Sequence, residues 1–145
     1  MSDIKFVNIN TKDRMFVLQT YNDVNFTANN DLEMVYGSDY VAQQVAKVIQ
    51  TDQFSSAYFP NYGTTLNNLR QSPVGNSLLE SAVQDTIVGA VAYIRALEES
   101  PRRDEQIKGL NNIVIETQDI DKTNKAVSVT MQVVTDAGDI VKVSV

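Results

Sequence analysis

The chain has 145 residues, 43% of them hydrophobic, which is enough for the core of one domain, and it contains no Cys and no His. Those absences exclude disulfides, zinc-thiolate sites and imidazole bases, which leaves carboxylates, Ser or Thr nucleophiles with Lys, or hard-metal oxygen sites for any enzymatic chemistry. A net charge of −6 from scattered acids argues against nucleic acid as a partner, and the lack of a long apolar run or a basic, apolar start argues against membrane and secretory segments.

The first 50 residues predict short strands followed by one helix. Apolar stretches at 4–9, 15–18 and 32–36 are separated by Asn, Asp and Thr clusters, which favour turns, so we expect strands and loops there. Gly37, Ser38 and Asp39 offer a turn and a helix N-cap. Apolar residues then recur at the spacing of one helical face: Val41, Val45, Val48 and Ile49. The pattern predicts a helix over about residues 38–50.

An ordered loop and a longer helix follow. Residues 51–63 are too interrupted for a helix, because Pro60 lacks an N–H and Gly63 can adopt a left-handed turn conformation. A short helical turn through Leu69 precedes the longest apolar stripe of the chain, which predicts a helix over about 77–98. The stripe comprises Leu79, Val83, Ile87, Ala90, Val91, Ile94 and Leu97. Gly89, within this helix, indicates close approach to another backbone.

Beyond Leu110 the hydrophobic period changes to two, which is typical of strands. The alternating residues fall into three groups: Ile113 and Ile115; Val127, Val129, Met131 and Val133; Val141, Val143 and Val145. Turns at 121–125 and 136–139 join the groups, so we predict an antiparallel three-stranded meander. The predicted fold class is therefore α+β, with short N-terminal strands and two main helices. Because nothing follows the last strand in sequence, we expect residues 140–145 to lie at or near a sheet edge.

Two groups of polar residues resemble sites for chemistry but have simpler interpretations. Acidic and basic residues crowd one loop: Glu98, Glu99, Arg102, Arg103, Asp104 and Glu105. They could supply a carboxylate pair for glycoside hydrolysis, but we favour a solvated, self-neutralising loop, because nothing nearby in sequence supplies an apolar pocket that raises a carboxyl pKa. Asp119, Asp121 and Asn124 partly match a calcium loop, yet its characteristic Gly and closing Glu are missing, so we favour a hairpin turn.

The aromatic residues of the loop before Gly63 have two interpretations. Tyr58, Phe59 and Tyr62 could stack on sugars or bases, but the basic residues typical of nucleic-acid sites are missing around them. We therefore predict that they are core residues that pin the loop. We predict no catalytic, cofactor-binding or metal-ligating residue and no cofactor.

Residues 30–66, the long helix and residues 100–116 together resemble the baseplate wedge family of contractile phage tails, long labelled lysozyme-like and also called sheath initiators. In that family a strand and Gly precede a Gln-bearing helix, then a Thr, a Pro-x-Tyr-Gly loop, a long helix and a Glu-Pro-Arg motif before a C-terminal sheet. The matching residues stand in that order: Gly37, Gln43 or Gln44, Thr51, Pro60, Tyr62, Gly63, Thr64, Pro101 and Arg102. Ser100 stands where the family has Glu.

The resemblance covers residues 30–145 and implies a single baseplate-wedge-like domain, preceded by an extension over residues 1–29. It implies a structural protein of the virion tail baseplate, assembled in the host cytoplasm, with six copies around the tail axis. The implied partners are the tail sheath protein and the baseplate wedge and hub proteins, with neither nucleic acid nor membrane. The expected interface comprises Pro101 and Arg102 together with the last strand, Ile140, Val141, Lys142, Val143, Ser144 and Val145; Pro60, Tyr62 and Gly63 shape the loop.

Two other functions remain open on the sequence. One is a small lysozyme-like enzyme that cleaves polysaccharides with Glu98 or Glu99, which requires two carboxyls about 5–9.5 Å apart in a cleft. The other is an adaptor outside phage that binds partners by strand addition. A phage virion and a phage-derived injection particle are equally compatible with the resemblance.

Overall fold

The computed structural model describes residues 3–4, 8–10, 15–17, 34–73, 75–98, 100–121 and 124–145. Its strands are β1 (Asp3–Ile4), β2 (Asn8–Asn10), β3 (Met15–Val17), β4 (Met34–Val35), β5 (Ile107–Asp119), β6 (Lys125–Thr135) and β7 (Ile140–Ser144). Its α-helices are α1 (Gly37–Gln50), α2 (Leu66–Arg70) and α3 (Asn76–Ala96), and one 3-10 turn covers Arg103–Glu105. The α+β fold, both main helices and the short N-terminal strands are as predicted.

The C-terminal strands form the predicted antiparallel meander, but the sheet is larger than expected. Its strand order is β2-β3-β7-β6-β5, and β3 pairs with β7 in parallel, with Met15 opposite Lys142 and Val17 opposite Ser144. A separate pair joins β1 to β4. The prediction that residues 140–145 lie at or near a sheet edge is therefore wrong, because β7 has a neighbouring strand on each side.

The core lies between one face of this sheet and two helices. Helix α1 packs against β7 and helix α3 packs against β5, and the two helices contact each other. The alternating residues of β6 and β7 face this core: Val127, Val129, Met131, Val133, Val141 and Val143 are all buried. On α3 the apolar stripe is buried from Leu79 to Val91, whereas Leu97, just after the helix, is exposed. Burying each such side chain stabilises the fold by about 1.5–3 kcal/mol.

The loop between α1 and α2 is tied closely to the end of α1. Its two ends form a parallel bridge, Asp52 with Thr64, and the Thr64 N–H donates to the Thr51 carbonyl at 2.8 Å. The Thr64 hydroxyl donates to the Ile49 carbonyl at 2.7 Å. The loop is ordered, as predicted.

Two glycines of the middle region behave differently. Gly63 has a φ of +111° and is buried, as the predicted turn requires. Gly89 is exposed in α3, and a Cβ built on it would meet nothing within 4 Å. The close backbone approach predicted at Gly89 is therefore wrong.

Candidate functional site

The first and last of the family-like motifs, Gly37 and residues 100–102, meet at the start of α1, whereas Thr51, Pro60, Gly63 and Thr64 lie after its end. Gly37 opens the helix with a φ of +63°, and its N–H donates to Glu105 Oε1 at 3.2 Å. The Ser100 hydroxyl donates to the other oxygen, Glu105 Oε2, at 2.6 Å. Glu105 is fully buried, so its carboxylate caps the positive end of the helix from inside the protein. The cap predicted from Ser38 or Asp39 is instead supplied by Glu105.

The hydrogen bonds to Glu105 also affect its ionisation. Burial acts to raise the pKa of the Glu105 carboxyl, and hydrogen bonds, among them those from Ser100 and the Gly37 N–H, outweigh burial so that the pKa lies below its usual value. The carboxylate is therefore stabilised in its charged form within this junction.

Arg102 forms charge-assisted contacts with two carboxylates at the same junction. Its Nε and Nη2 donate to the two oxygens of Asp104 at 3.1 and 2.6 Å, and its Nη1 lies 3.6 Å from Glu105 Oε1. The hydrogen bond from Arg102 lowers the pKa of the Asp104 carboxyl. In the resembling motif a Glu stands at the position of Ser100, before the Pro and Arg. Here Ser100 supplies no carboxylate, and Asp104 and Glu105 pair with Arg102 instead. The Arg102 side chain is 50% exposed, and Pro101 beside it is also exposed, so both face solvent at the surface of the junction.

Of the last six residues, only alternate ones face solvent. The side chains of Val141 and Val143 are buried in the core, whereas Ile140 and Lys142 are exposed. Val145 exchanges two backbone hydrogen bonds with Val129, at 2.9 and 2.8 Å. The backbone of this segment is thus engaged with β6.

Within the described part of the chain, the five-stranded sheet ends on β2 at one edge and on β5 at the other, and β5 is by far the longer of these two edge strands. No described strand pairs with its outer side. It is 13 residues long, with register irregularities between Ile107 and Gly109 and between Asn111 and Val114, where Asn112 has a φ of +49°. From Val114 to Asp119 the pairing with β6 is continuous. The unpaired backbone groups of such an edge can accept an added strand. The bulges disturb the first half of β5, so the added strand would pair with the regular second half.

The direction of each backbone group of β5 follows from the ladder. Val129 bonds to Val145, so odd-numbered residues of β6 direct their N–H groups to β7 and even-numbered residues direct theirs to β5. Because Val114 lies opposite Thr130, even-numbered residues of β5 bond to β6. The N–H groups of Ile115 and Thr117 therefore point outward from the edge.

The predicted loop residues lie in the ordered loop after α1. The Pro60 carbonyl accepts the Phe54 N–H at 2.9 Å, and the Tyr62 N–H donates to the Phe59 carbonyl at 3.0 Å. Tyr62 packs against the core, as predicted. The prediction that Tyr58 and Phe59 are core residues is wrong, because they are 90% and 56% exposed.

The prediction that the charged loop is solvated and neutralises its own charges is wrong in part, because some of its side chains are buried. Glu98 lines an apolar cavity together with Glu105, and burial, the largest effect, raises the pKa of the Glu98 carboxyl. The cavity is formed by side chains of α1, the end of α3, the loop residue Tyr62 and the charged loop itself, an arrangement that no local sequence pattern reveals. Arg103 donates to the Asp136 carbonyl at 2.9 Å and so ties the loop to the β6–β7 turn.

The predicted hairpin at 119–124 is confirmed. Asp121 accepts hydrogen bonds from the backbone and side-chain nitrogens of Asn124 at 2.8 and 2.9 Å, which is the geometry of a turn. Among the residues that the structure describes, no group of three or more acidic side chains could hold a metal ion. In the same part of the chain, no helix is both long and apolar enough to cross a membrane.

No protein-family model matches the chain, and no curated protein matches it.

Proposed function

We propose that this chain is a structural baseplate subunit of a contractile phage tail or a related injection particle. In this role it links wedge to hub, in six copies around the tail axis, and templates the first sheath ring through its C-terminal sheet. The proposal rests on the resemblance of residues 30–145 to the sheath-initiator family. The protein does not need titratable chemistry for this work, because strand addition uses only backbone donors and acceptors.

The open edge of β5 is the observation that carries the templating role. An arm of the first sheath subunit would pair with the second half of β5, where Ile115 and Thr117 direct their N–H groups outward. Alternation of side chains along the added strand would set its register. This edge replaces β7 as the expected template, since β3 already pairs with β7.

The exposed Pro101 and Arg102 offer a second contact for a wedge or hub protein. Arg102 is held in place by Asp104 and Glu105, so its remaining exposed surface is presented in a fixed orientation. A fixed guanidinium loses little side-chain entropy when a partner binds.

Substitution of Thr117 tests the edge without removing core residues. Thr117→Pro removes an outward N–H and adds a ring on the open side, while the ladder to β6 stays intact. Thr117→Val is the matched control, because both changes remove the 3.2 Å hydrogen bond from the Thr117 hydroxyl to Glu80 but only proline blocks the edge. We expect particles with Thr117→Pro to show tubes and baseplates without sheath under the electron microscope, and normal sheaths with Thr117→Val. Normal sheaths on Thr117→Pro particles, with the variant protein folded, would overturn the templating role.

A polysaccharide-cleaving enzyme is the second candidate function, because Glu98 and Glu105 line one cavity and their pKa values shift in opposite directions. The contacts of Glu105 weigh against it. Both of its oxygens accept hydrogen bonds, from Gly37 and Ser100, so it lacks a free oxygen to act as nucleophile or base. Glu98 alone could donate a proton, but the other carboxylate of the cavity, Glu105, is engaged by Gly37 and Ser100 and could not act as its partner.

A further inference from the structure

A small cavity of about 300 Å³ lies between α1, the end of α3 and the start of β5. Its walls include the apolar side chains of Val41, Ile94 and Leu97 and the rings of Tyr40 and Tyr62. This volume is at the lower end of the range for small-ligand sites, which are mostly apolar with a few polar groups. The cavity is therefore large enough for a short aliphatic chain.

Glu98 contributes to this cavity a carboxylate oxygen with unused bonding capacity. Its Oε1 accepts the Ile107 N–H at 2.8 Å, whereas its Oε2 makes no hydrogen bond within the described residues. Burial is the largest influence and raises the pKa of the Glu98 carboxyl; the Ile107 N–H lowers it, Asp136 raises it, and Arg95 has the smallest effect and lowers it. The carboxylate is thus short of positive charge in its own surroundings.

The chemistry of the walls selects the ligand. No Lys or Arg lines the cavity, and Arg102 beside it is already paired with Asp104 and Glu105, so nothing in the lining offsets the repulsion between the Glu98 carboxylate and an anion. A neutral apolar molecule would fill the space but leave the Glu98 carboxylate uncompensated. A cation on an aliphatic stem satisfies both the carboxylate and the apolar wall, and the tyrosine rings favour it further through cation–π attraction.

We propose that this cavity binds an organic cation, a primary ammonium or guanidinium group on an aliphatic stem, with Glu98 as its counter-ion. The cation can belong to a free amine or to a Lys or Arg side chain of a partner protein. The site does not depend on the proposed baseplate role, because it requires only the cavity and its carboxylate.

Titration of the ¹⁵N-labelled chain followed by NMR tests this site. The probes are n-hexylammonium and 1-hexanol, which share a stem and differ in charge, at a pH well above the range in which carboxyls titrate. We expect n-hexylammonium to bind at least tenfold more tightly and to shift the Ile107 amide signal, since that N–H is bonded to Glu98. Glu98→Gln should remove the preference, whereas Glu116→Gln, which changes an exposed carboxylate on β5, should leave it unchanged.

A second variant and two further probes complete the test. Leu97→Trp, at an exposed wall position, should fill the cavity and abolish binding of both probes without altering the carboxylate. Binding of a blocked Ala-Lys-Ala peptide would assign the cation to a partner's side chain, and binding of cadaverine alone would assign it to a free amine. Equal affinity for n-hexylammonium and 1-hexanol, or signal changes unaffected by both Glu98→Gln and Leu97→Trp, would overturn the proposal.

Discussion

Gly63→Ala should destabilise the protein strongly, because the backbone at Gly63 leaves no room for a Cβ. A Cβ built there would lie 2.5 Å from the Thr51 carbonyl oxygen and 2.9 Å from the Gln53 nitrogen, and all of these are backbone atoms that cannot turn aside. The φ of +111° adds strain of about 1–3 kcal/mol for a residue with a side chain. Displacing the loop would also weaken the Thr64–Thr51 and Gln53–Thr64 hydrogen bonds, each worth about 1 kcal/mol.

These contributions together predict a loss of about 4 kcal/mol, which for a chain of this size lowers the Tm by about 10 °C. Gly89→Ala is the matched control, since it makes the same chemical change in an open position of α3. It should stabilise the protein by about 0.5–1 kcal/mol, because alanine favours helix and restricts the unfolded chain. Both changes reduce the entropy of the unfolded chain by the same amount. The difference between their free energies of unfolding therefore reports on the native state alone.

Thermal unfolding followed by circular dichroism measures both variants. If Gly63→Ala melts within about 2 °C of the wild type while Gly89→Ala shows its expected increase, the close contacts at Gly63 do not constrain the loop.

The remaining predictions concern the charged loop. Arg102→Ala should impair incorporation into particles more than Arg103→Ala, because Arg102 belongs to the proposed contact and is held there by Asp104 and Glu105, whereas Arg103 bonds to the Asp136 carbonyl of the β6–β7 turn. Equal incorporation by both variants would contradict this. The stability in urea of the wild type relative to Glu98→Gln should fall as the pH rises above 4.5, the ordinary Glu value, because the raised pKa of Glu98 means that the native state holds this proton more tightly than the unfolded chain does. The comparison cancels the opposite effect of Asp104 and Glu105, whose pKa values are lowered, and a difference that does not change with pH would refute the shift. The purified chain should not clear a cell-wall suspension, because Glu105 has both oxygens engaged; clearing that Glu98→Gln abolishes would establish the enzyme instead.

The sequence predicted the elements well because their signals are local. The apolar stripe from Leu79 to Val91 and the alternation from Val127 to Val133 depend on residues a few positions apart, and both patterns match the buried faces. The turn at Gly63 was predictable for the same reason, since few residues other than glycine adopt a positive φ.

Two of the errors concern partners that lie far apart in the chain. Period-two alternation identifies β7 as a strand but cannot say that Met15–Val17 pairs with its outer side. Likewise, the loop around Glu98 was predicted to be solvated because part of its cavity wall comes from Tyr40 and Val41 on α1, which lie far away in the sequence. Tyr58 and Phe59 were misplaced because aromatic residues are usually buried, although the serines beside them are a local signal of a surface loop.

The cap on α1 also bears on how the protein folds. The bond from the Gly37 N–H to Glu105 joins residues that are 68 positions apart, so the chain must close a long loop before the bond can form. We expect this contact to form only after the folding transition state, because contacts between distant residues form late. Contacts formed after that state leave the folding rate nearly unchanged and slow unfolding. The buried carboxylate should therefore extend the lifetime of the native state under force or heat without making the protein fold faster.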